Sequence, residues 1–109
     1  MAGDTQQFLY HFQSGDRPQL ATDPSAWTDD DNQVGADHFA YLQAAAADGV
    51  VVMAGRSQDG IGPAIVIIEA VSEEEARAFM EADPFVESGL FTASLHPFRI
   101  ALQRETEAQ

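Results

Sequence analysis

Cysteine and lysine are both missing from this chain of 109 residues. Without cysteine the protein has no disulfide framework, no thiol nucleophile and no thiolate metal ligand. Without lysine, Schiff-base chemistry on a lysine amine is excluded. Long apolar runs are missing as well, since the longest, from Gly49 to Gly55, is far too short to span a bilayer.

Positive charge is scarce. Five basic residues, all arginine, stand against 18 acidic ones, which gives a formal net charge of −13. Such a chain repels nucleic acid phosphates and anionic lipid surfaces, so we expect neither nucleic acid nor membrane as a partner, and we interpret the acid excess as a source of solubility. Residues 1–7 lack the basic and apolar regions of a signal peptide, so a cytoplasmic location is the default expectation.

The chain has enough apolar residues, 45%, for one hydrophobic core. At this length we expect a single domain over residues 1–109, with a core from about residue 6 to residue 102 and a polar tail over 103–109.

Hydrophobic periodicity and turn signals predict four strands and two helices. The predicted strands are Gln6–Phe12, Val50–Arg56, Ala64–Ala70 and Phe91–Leu102. The first helix is expected from Thr28 to Asp48, with Gly35 as an alternative start, and the second follows the N-cap Ser72 and stops before Pro84. The order βαββαβ predicts an α+β, ferredoxin-like fold, with a four-stranded antiparallel sheet and both helices on one face. Pro97 places the last strand at an edge or at a bulge.

The segment from Ser14 to Trp27 is long for a connection in so small a domain. Long ordered loops are often lids or binding loops, but a plain surface excursion is the alternative. Trp27 is a candidate anchor for this loop on the body of the domain.

The third strand is apolar on both faces, with Ile65 and Ile67 on one and Val66 and Ile68 on the other. Two helices can cover only one of these faces. A second copy of the chain is the simplest cover for the other, so we expect a homodimer through the open sheet face.

Asp83 lies at a corner, because Pro84 ends the second helix directly after it. An aspartate before a proline is a good N-cap for a new turn, here Pro84 to Ser88 closed by Gly89. The same carboxylate could instead serve catalysis, and the residues alone leave both roles open.

His38 lies on the apolar stripe of the first helix, which also carries Val34, Tyr41, Leu42 and Ala45. A histidine in such a place is either a satisfied core residue or a proton carrier. An imidazole titrates near neutral pH and can relay a proton, and a nearby carboxylate can fix its tautomer, so the residues alone leave both roles of His38 open.

The segment Asp83-Pro84-Phe85-Val86 followed by Gly89-Leu90, with His38 upstream and Gly49–Gly55 between them, resembles the YCII-related (YciI-like) family from about residue 8 to residue 102. The resemblance implies a dimeric α+β barrel in which two sheets pack face to face. It also implies that His38 and Asp83 are the family's catalytic dyad. Related barrels act on lactones and chlorinated hydroquinones.

Arg56, Gly55 and His11 are the candidate substrate-binding residues. Arg56 departs from the Ala-Gly-Pro common in the family and could clamp a substrate carboxylate or form a surface ion pair; Arg17 is a weaker candidate for the same clamp. His11 and His96 fall on paired strands as ordinary strand histidines or as ligands. Because no dense ligand spacing is present, we expect no metal and no cofactor.

Two functions follow from these observations. The first is a small enzyme of the YciI-like type, with isomerase, lyase or dehydrochlorinase-like acid–base chemistry on a small cyclic or aromatic compound that could be anionic. The second is a non-catalytic dimeric module that binds a small ligand or regulates. An aromatic pocket sealed from solvent would favour the second.

Overall fold

The computed structural model describes residues 5–104 of the chain. Most of the predicted polar tail, residues 105–109, lies outside the described residues. The elements in chain order are β1 (Gln6–Ser14), α1 (Asp29–Ala47), β2 (Val51–Arg56), β3 (Ala64–Ala70), α2 (Glu73–Ala82), a one-turn helix α3 (Pro84–Glu87) and β4 (Phe91–Phe98). None of the helices in residues 5–104 is long and apolar enough to cross a membrane.

The four strands form one sheet in the order β2-β3-β1-β4, and every neighbouring pair is antiparallel. This is the ferredoxin-like α+β arrangement that the order of elements predicts. The strands that are first and third along the chain lie in the middle of the sheet, and the other two are its edges.

The hydrophobic core lies between the sheet and the helices. Side chains alternate along a strand, so β1 sends every second residue to the helix side. Phe8 and Tyr10 are almost completely buried there, beside Val66 and Ile68 of β3. The helices complete the core with Leu42, Ala45, Ala76 and Met80.

The prediction that the last strand runs to Leu102 is wrong, because β4 ends at Phe98. Phe98 pairs with Gln7, almost the first residue of β1, so the sheet offers no partner beyond it. The chain leaves the ladder here, and the amide of Ile100 donates instead to the side chain of Gln7 at 2.9 Å. Pro97 lies on an edge strand, which confirms that part of the prediction.

Helix α1 begins at Asp29, which settles the choice between the two predicted starts. The Thr28 hydroxyl accepts the amide of Asp31 at 3.1 Å, and the Asp31 carboxylate accepts the amide of Thr28 at 2.9 Å. This reciprocal capping box satisfies two amides that a helix end otherwise leaves unpaired. Gly35 is therefore an interior helix residue.

Candidate active site

An open cleft of about 1090 Å³ lies between α1 and the sheet, beside the end of β2 and the start of β3. Its walls are α1, the loop over residues 20–27, the β2–β3 turn and α3. The floor is shallow, because Ala54 and Ala64 place only methyl groups there. The cleft exists because a small residue stands on each of the two neighbouring strands where a larger one would fill the space.

Asp83 is fully buried at the junction of α2, α3 and β1. Its Oδ1 accepts the amide of Phe85 at 3.0 Å, so it caps α3 as the sequence predicts. The same oxygen lies 2.7 Å from Nδ1 of His38, and Oδ2 accepts the hydroxyl of Tyr10 at 2.8 Å. Capping and contact with His38 are therefore not alternatives, since one carboxylate does both.

The imidazole of His38 is held on both sides. It stacks on the ring of Phe85, with centroids 3.9 Å apart, and meets the edge of Phe12 at 5.6 Å. An ionised carboxylate only accepts hydrogen bonds, so Nδ1 carries the proton that points at Asp83. The other nitrogen, Nε2, makes no hydrogen bond within residues 5–104, and His38 borders the cleft. The ring is thus oriented with one nitrogen free for a ligand.

Tyr10 is the member of this network that sequence analysis missed. Alternation along β1 predicts that it shares one face with Phe8 and Phe12, which by itself indicates only an apolar face. A buried tyrosine hydroxyl nearly always needs a partner, and Asp83 was the candidate acceptor at hand. Burial, reinforced by the Asp83 carboxylate, raises the pKa of the Tyr10 phenol. The hydroxyl therefore stays protonated and donates to Asp83 at every ordinary pH.

A cluster of aromatic rings walls the cleft beside His38. Phe85 and Phe91 meet edge to face with centroids 4.9 Å apart, and Trp27 lies 6.0 Å and 6.1 Å from them. Phe12 completes the cluster at 5.8 Å from Phe85. Aromatic faces of this kind favour a flat, unsaturated ligand.

The loop over residues 14–27 is fixed to the domain at two points. The ring of Trp27 packs against Phe85 and Phe91 of the body. Its indole N–H closes the loop on itself by donating to the carbonyl of Leu20 at 2.9 Å. Arg17 binds Asp31 of α1 through two nitrogens at 2.9 Å and 2.6 Å. The hydrogen bonds from Arg17 lower the pKa of the Asp31 carboxyl to about 2. Trp27 is an anchor as predicted, and Arg17 holds the loop through Asp31.

The other predicted binding residues lie in two different places on the sheet. Arg56 and Gly55 border the cleft, at the end of β2. His11 lies on the opposite face of the sheet from Tyr10, because it is the next residue along the strand. There it stacks on His96, with centroids 5.6 Å apart. The structure therefore does not bring His11 to the cleft of its own chain.

Histidine and carboxylate side chains are otherwise dispersed. Within residues 5–104, no group of three or more histidine, aspartate or glutamate side chains is placed to hold a metal ion. The described site is a hydrogen-bonded network of three side chains, Tyr10, Asp83 and His38, beside an aromatic wall.

Raising the pH above 10 is expected to destabilise the fold through Tyr10. Because its folded-state pKa is raised above the ordinary value of about 10, the stabilisation is fully present below pH 10 and is lost as pH rises. Burial also raises the pKa of Tyr41, to about 12. The chain has no lysine, so in the unfolded chain these two tyrosines dominate side-chain titration near pH 10. Urea unfolding at pH 8, 10 and 11 measures the slope.

Tyr10→Phe is the matched variant, and Tyr41→Phe is its control. At pH 8 we expect Tyr10→Phe to lower the free energy of unfolding by about 1.5–3 kcal/mol, because a buried charged acceptor loses its donor. Above pH 10 the free energy of unfolding of Tyr10→Phe should fall less steeply than that of the parent. Tyr41→Phe should retain the part of this fall that comes from Tyr10. An unchanged alkaline slope in Tyr10→Phe would contradict the described contact.

Comparison with known proteins adds a family and a solved structure. A family model described as the YCII-related domain matches residues 10–97, which confirms the resemblance found in the sequence. Among solved structures, the chain is similar to 5-chloro-2-hydroxyhydroquinone dehydrochlorinase from Burkholderia phenoliruptrix AC1100 in complex with 2,5-dihydroxybenzoquinone. The identity is 25% and the TM-score is 0.60, over 85% of this chain and 93% of that chain. No curated protein matches.

Proposed function

Since the chain belongs to the YCII-related domain family, we propose that it is a small enzyme whose His38–Asp83 pair moves a proton on a cyclic or aromatic substrate. The observation that carries the proposal is the 2.7 Å contact between His38 and a fully buried Asp83 at the edge of an open cleft. An orienting carboxylate, an oriented imidazole with one free nitrogen, and a ligand-sized space are the components of general acid–base catalysis.

Elimination and isomerisation are the two reactions that we propose for this site. Nε2 of His38 takes a proton from the substrate, and the electron pair left behind forms a new π bond. In an elimination the leaving group departs with its own bonding pair, so the substrate loses HX without any external oxidant. In an isomerisation the same imidazolium returns the proton at another carbon. The similar structure from Burkholderia is named as a dehydrochlorinase, which supports the elimination.

Asp83 serves this step by position and by charge. It keeps the Nδ1 proton of His38 in place, so that Nε2 is the basic nitrogen, and it stabilises the imidazolium that forms. Tyr10 holds Asp83 through its second oxygen and is a positioning residue, because it is not itself among the residues that line the cleft.

Chloride release from 5-chloro-2-hydroxyhydroquinone, measured under anaerobic conditions by ion chromatography, tests the elimination directly. We expect release above the rate in buffer. If that compound is inert, a screen of chlorinated hydroquinones, lactones and other small ring compounds for turnover follows. Turnover of a ring compound supports the proposal.

A binding module on the same fold remains the alternative function. It would hold a ring compound in the cleft without changing it, so binding across the screen with no turnover of any compound would establish it in place of the enzyme. A cleft sealed by aromatic rings would have favoured it. The observed cleft is open to solvent and is bordered by His38, which supports catalysis.

We infer further that the working form is a homodimer built through the sheet face that carries no helices. Apolar side chains line that face: Met53 is 50% exposed, Phe98 is 40% exposed, and Ile67 lies between Met53 and Leu9 in register. A second copy packed face to face would cover these residues and would give the dimeric barrel that the family resemblance implies.

In sedimentation at micromolar concentration we expect a species of twice the 11.8 kDa of one chain. Met53→Glu should shift it toward the monomer, since each copy would carry a new charge into the apolar interface. Val71→Glu is the matched control, because Val71 is 56% exposed at the junction of β3 and α2. A stable, folded monomer of the unaltered chain at this concentration would contradict the inference.

A further inference from the structure

The cleft contains one permanent positive charge. Among its lining residues the only basic side chains are His38 and Arg56. Arg56 is exposed and makes no ion pair or side-chain hydrogen bond within residues 5–104, whereas Arg17 and Arg77 are both paired with carboxylates. Arg99 is also unpaired within residues 5–104, but it lies outside this cleft. Arg56 is available to a ligand.

The carboxylates that share the cleft do not neutralise Arg56. Asp59 accepts two backbone amides of its own turn at 2.8 Å and 3.1 Å, and these hydrogen bonds lower the pKa of its carboxyl. Asp23 accepts the amide and the hydroxyl of Ser25 at 3.0 Å and 2.6 Å. Both carboxylates are held by their own loops, and neither comes within ion-pair distance of Arg56.

The sheet register gives the span between Arg56 and the catalytic histidine. Arg56 pairs with Ala64 across β2 and β3. Continuing the β1–β3 register by one residue places Phe12 level with Ala64, and the ring of His38 meets Phe12 at 5.6 Å. Two strand spacings, about 10 Å, therefore separate the backbone of Arg56 from the strand beneath His38. One six-membered ring with a substituent fits that distance, over the methyl group of Ala64.

From these observations we propose that Arg56 is the anion-binding residue of the cleft. It selects ring compounds that carry a carboxylate or an acidic enol or phenol at the end remote from His38. The planar guanidinium can bind such a group through two nitrogens, while the ring lies against the aromatic wall. This inference rests on the proposed function for the role of His38, but the binding of the anion by Arg56 does not require turnover.

Calorimetric titration with 2,5-dihydroxybenzoquinone tests the proposal. Its enolic hydroxyls are vinylogous carboxylic acids, so the ring is an anion near neutral pH. We expect Arg56→Gln to raise the Kd for this compound about 10-fold, because a charge-assisted hydrogen bond is lost. The Kd of Arg56→Lys should lie between those of the parent and Arg56→Gln, since lysine keeps the charge and loses the planar guanidinium. Salt should weaken binding to the parent more than binding to Arg56→Gln.

Two controls separate anion binding from general charge effects. Arg77→Gln changes the net charge equally, but Arg77 lies on α2, outside the cleft lining, so its Kd should match the parent. The methylated, uncharged 2,5-dimethoxybenzoquinone should bind parent and Arg56→Gln alike. Equal affinity of parent and Arg56→Gln for the anion, or no binding of it by the parent, would overturn the inference.

The same experiment keeps the two proposals apart. Arg56-dependent binding of the anion with no turnover of any ring compound would support the anion site and would contradict the proposal that the protein is an enzyme. Turnover of a ring compound together with equal affinity of parent and Arg56→Gln for the anion would support the enzyme and would contradict the anion site.

Discussion

Replacing Asp83 with alanine is expected to lower the free energy of unfolding by about 3–5 kcal/mol. The carboxylate is fully buried and accepts three hydrogen bonds, from Tyr10, from His38 and from the amide of Phe85. Alanine would leave all three donors without a partner where water cannot replace it, and each such donor is costly. The total free energy of unfolding of a typical domain is only about 5–15 kcal/mol, so this loss is severe.

Urea unfolding followed by circular dichroism measures the effect, and Asp37→Ala is the control. Asp37 lies exposed on α1 and its side chain meets only Gln33, so we expect a change within about 0.5 kcal/mol. A loss below about 1 kcal/mol for Asp83→Ala would mean that the three donors find other partners.

Asp83→Asn separates structure from chemistry at the same position. The asparagine keeps the shape and one oxygen for the amide of Phe85, so the α3 cap survives in large part. It loses the negative charge that orients His38 and stabilises the imidazolium. We therefore expect a folded protein with a much lower kcat. An aspartate that acted only as a cap would tolerate this change without loss of turnover.

Replacing His38 with alanine is expected to lower kcat/KM by about 10²- to 10⁴-fold, the usual contribution of one general acid or base. Turnover of the best substrate from the ring-compound screen measures it. The domain should stay folded, because His38 is partly exposed and the remaining donors still satisfy Asp83. Added imidazole should restore part of the rate by entering the vacated space beside Phe85.

His96→Ala is the control for this experiment. His96 is exposed on the opposite face of the sheet, where it contacts Ser94 and stacks on His11. Its removal should leave the rate near that of the parent. Turnover in His38→Ala equal to that of the parent would remove His38 from the mechanism and with it the proton-transfer proposal.

Local signals in the sequence were sufficient to predict the helices and strands and, within the site, the cap that Asp83 forms. The Thr28–Asp31 capping box and the Asp83-Pro84 corner depend only on neighbours in the chain, so they could be predicted. The contact between His38 and Asp83 could not be measured from sequence, because 45 residues separate them and only the packing of α1 against α3 brings them together.

Alternation along β1 explains both the missed residue and the misplaced one. The alternating pattern Phe8, Tyr10, Phe12 places Tyr10 on an apolar face, which the core would bury, and His11 on the opposite face of the sheet. Counting the hydrogen-bond needs of that buried face would have linked Tyr10 to Asp83. The end of β4 depended on the length of its partner strand, which no pattern within β4 itself records.

The wall of the cleft gives this protein an optical probe of its own. Trp27 is the only tryptophan in the chain, and it lies against Phe85 and Phe91 at the edge of the cleft. Indole emission from the whole molecule therefore reports on one place. A quinone that enters the cleft is an electron acceptor beside the excited indole and should quench its fluorescence. Ligand affinity can thus be followed in dilute solution without any label.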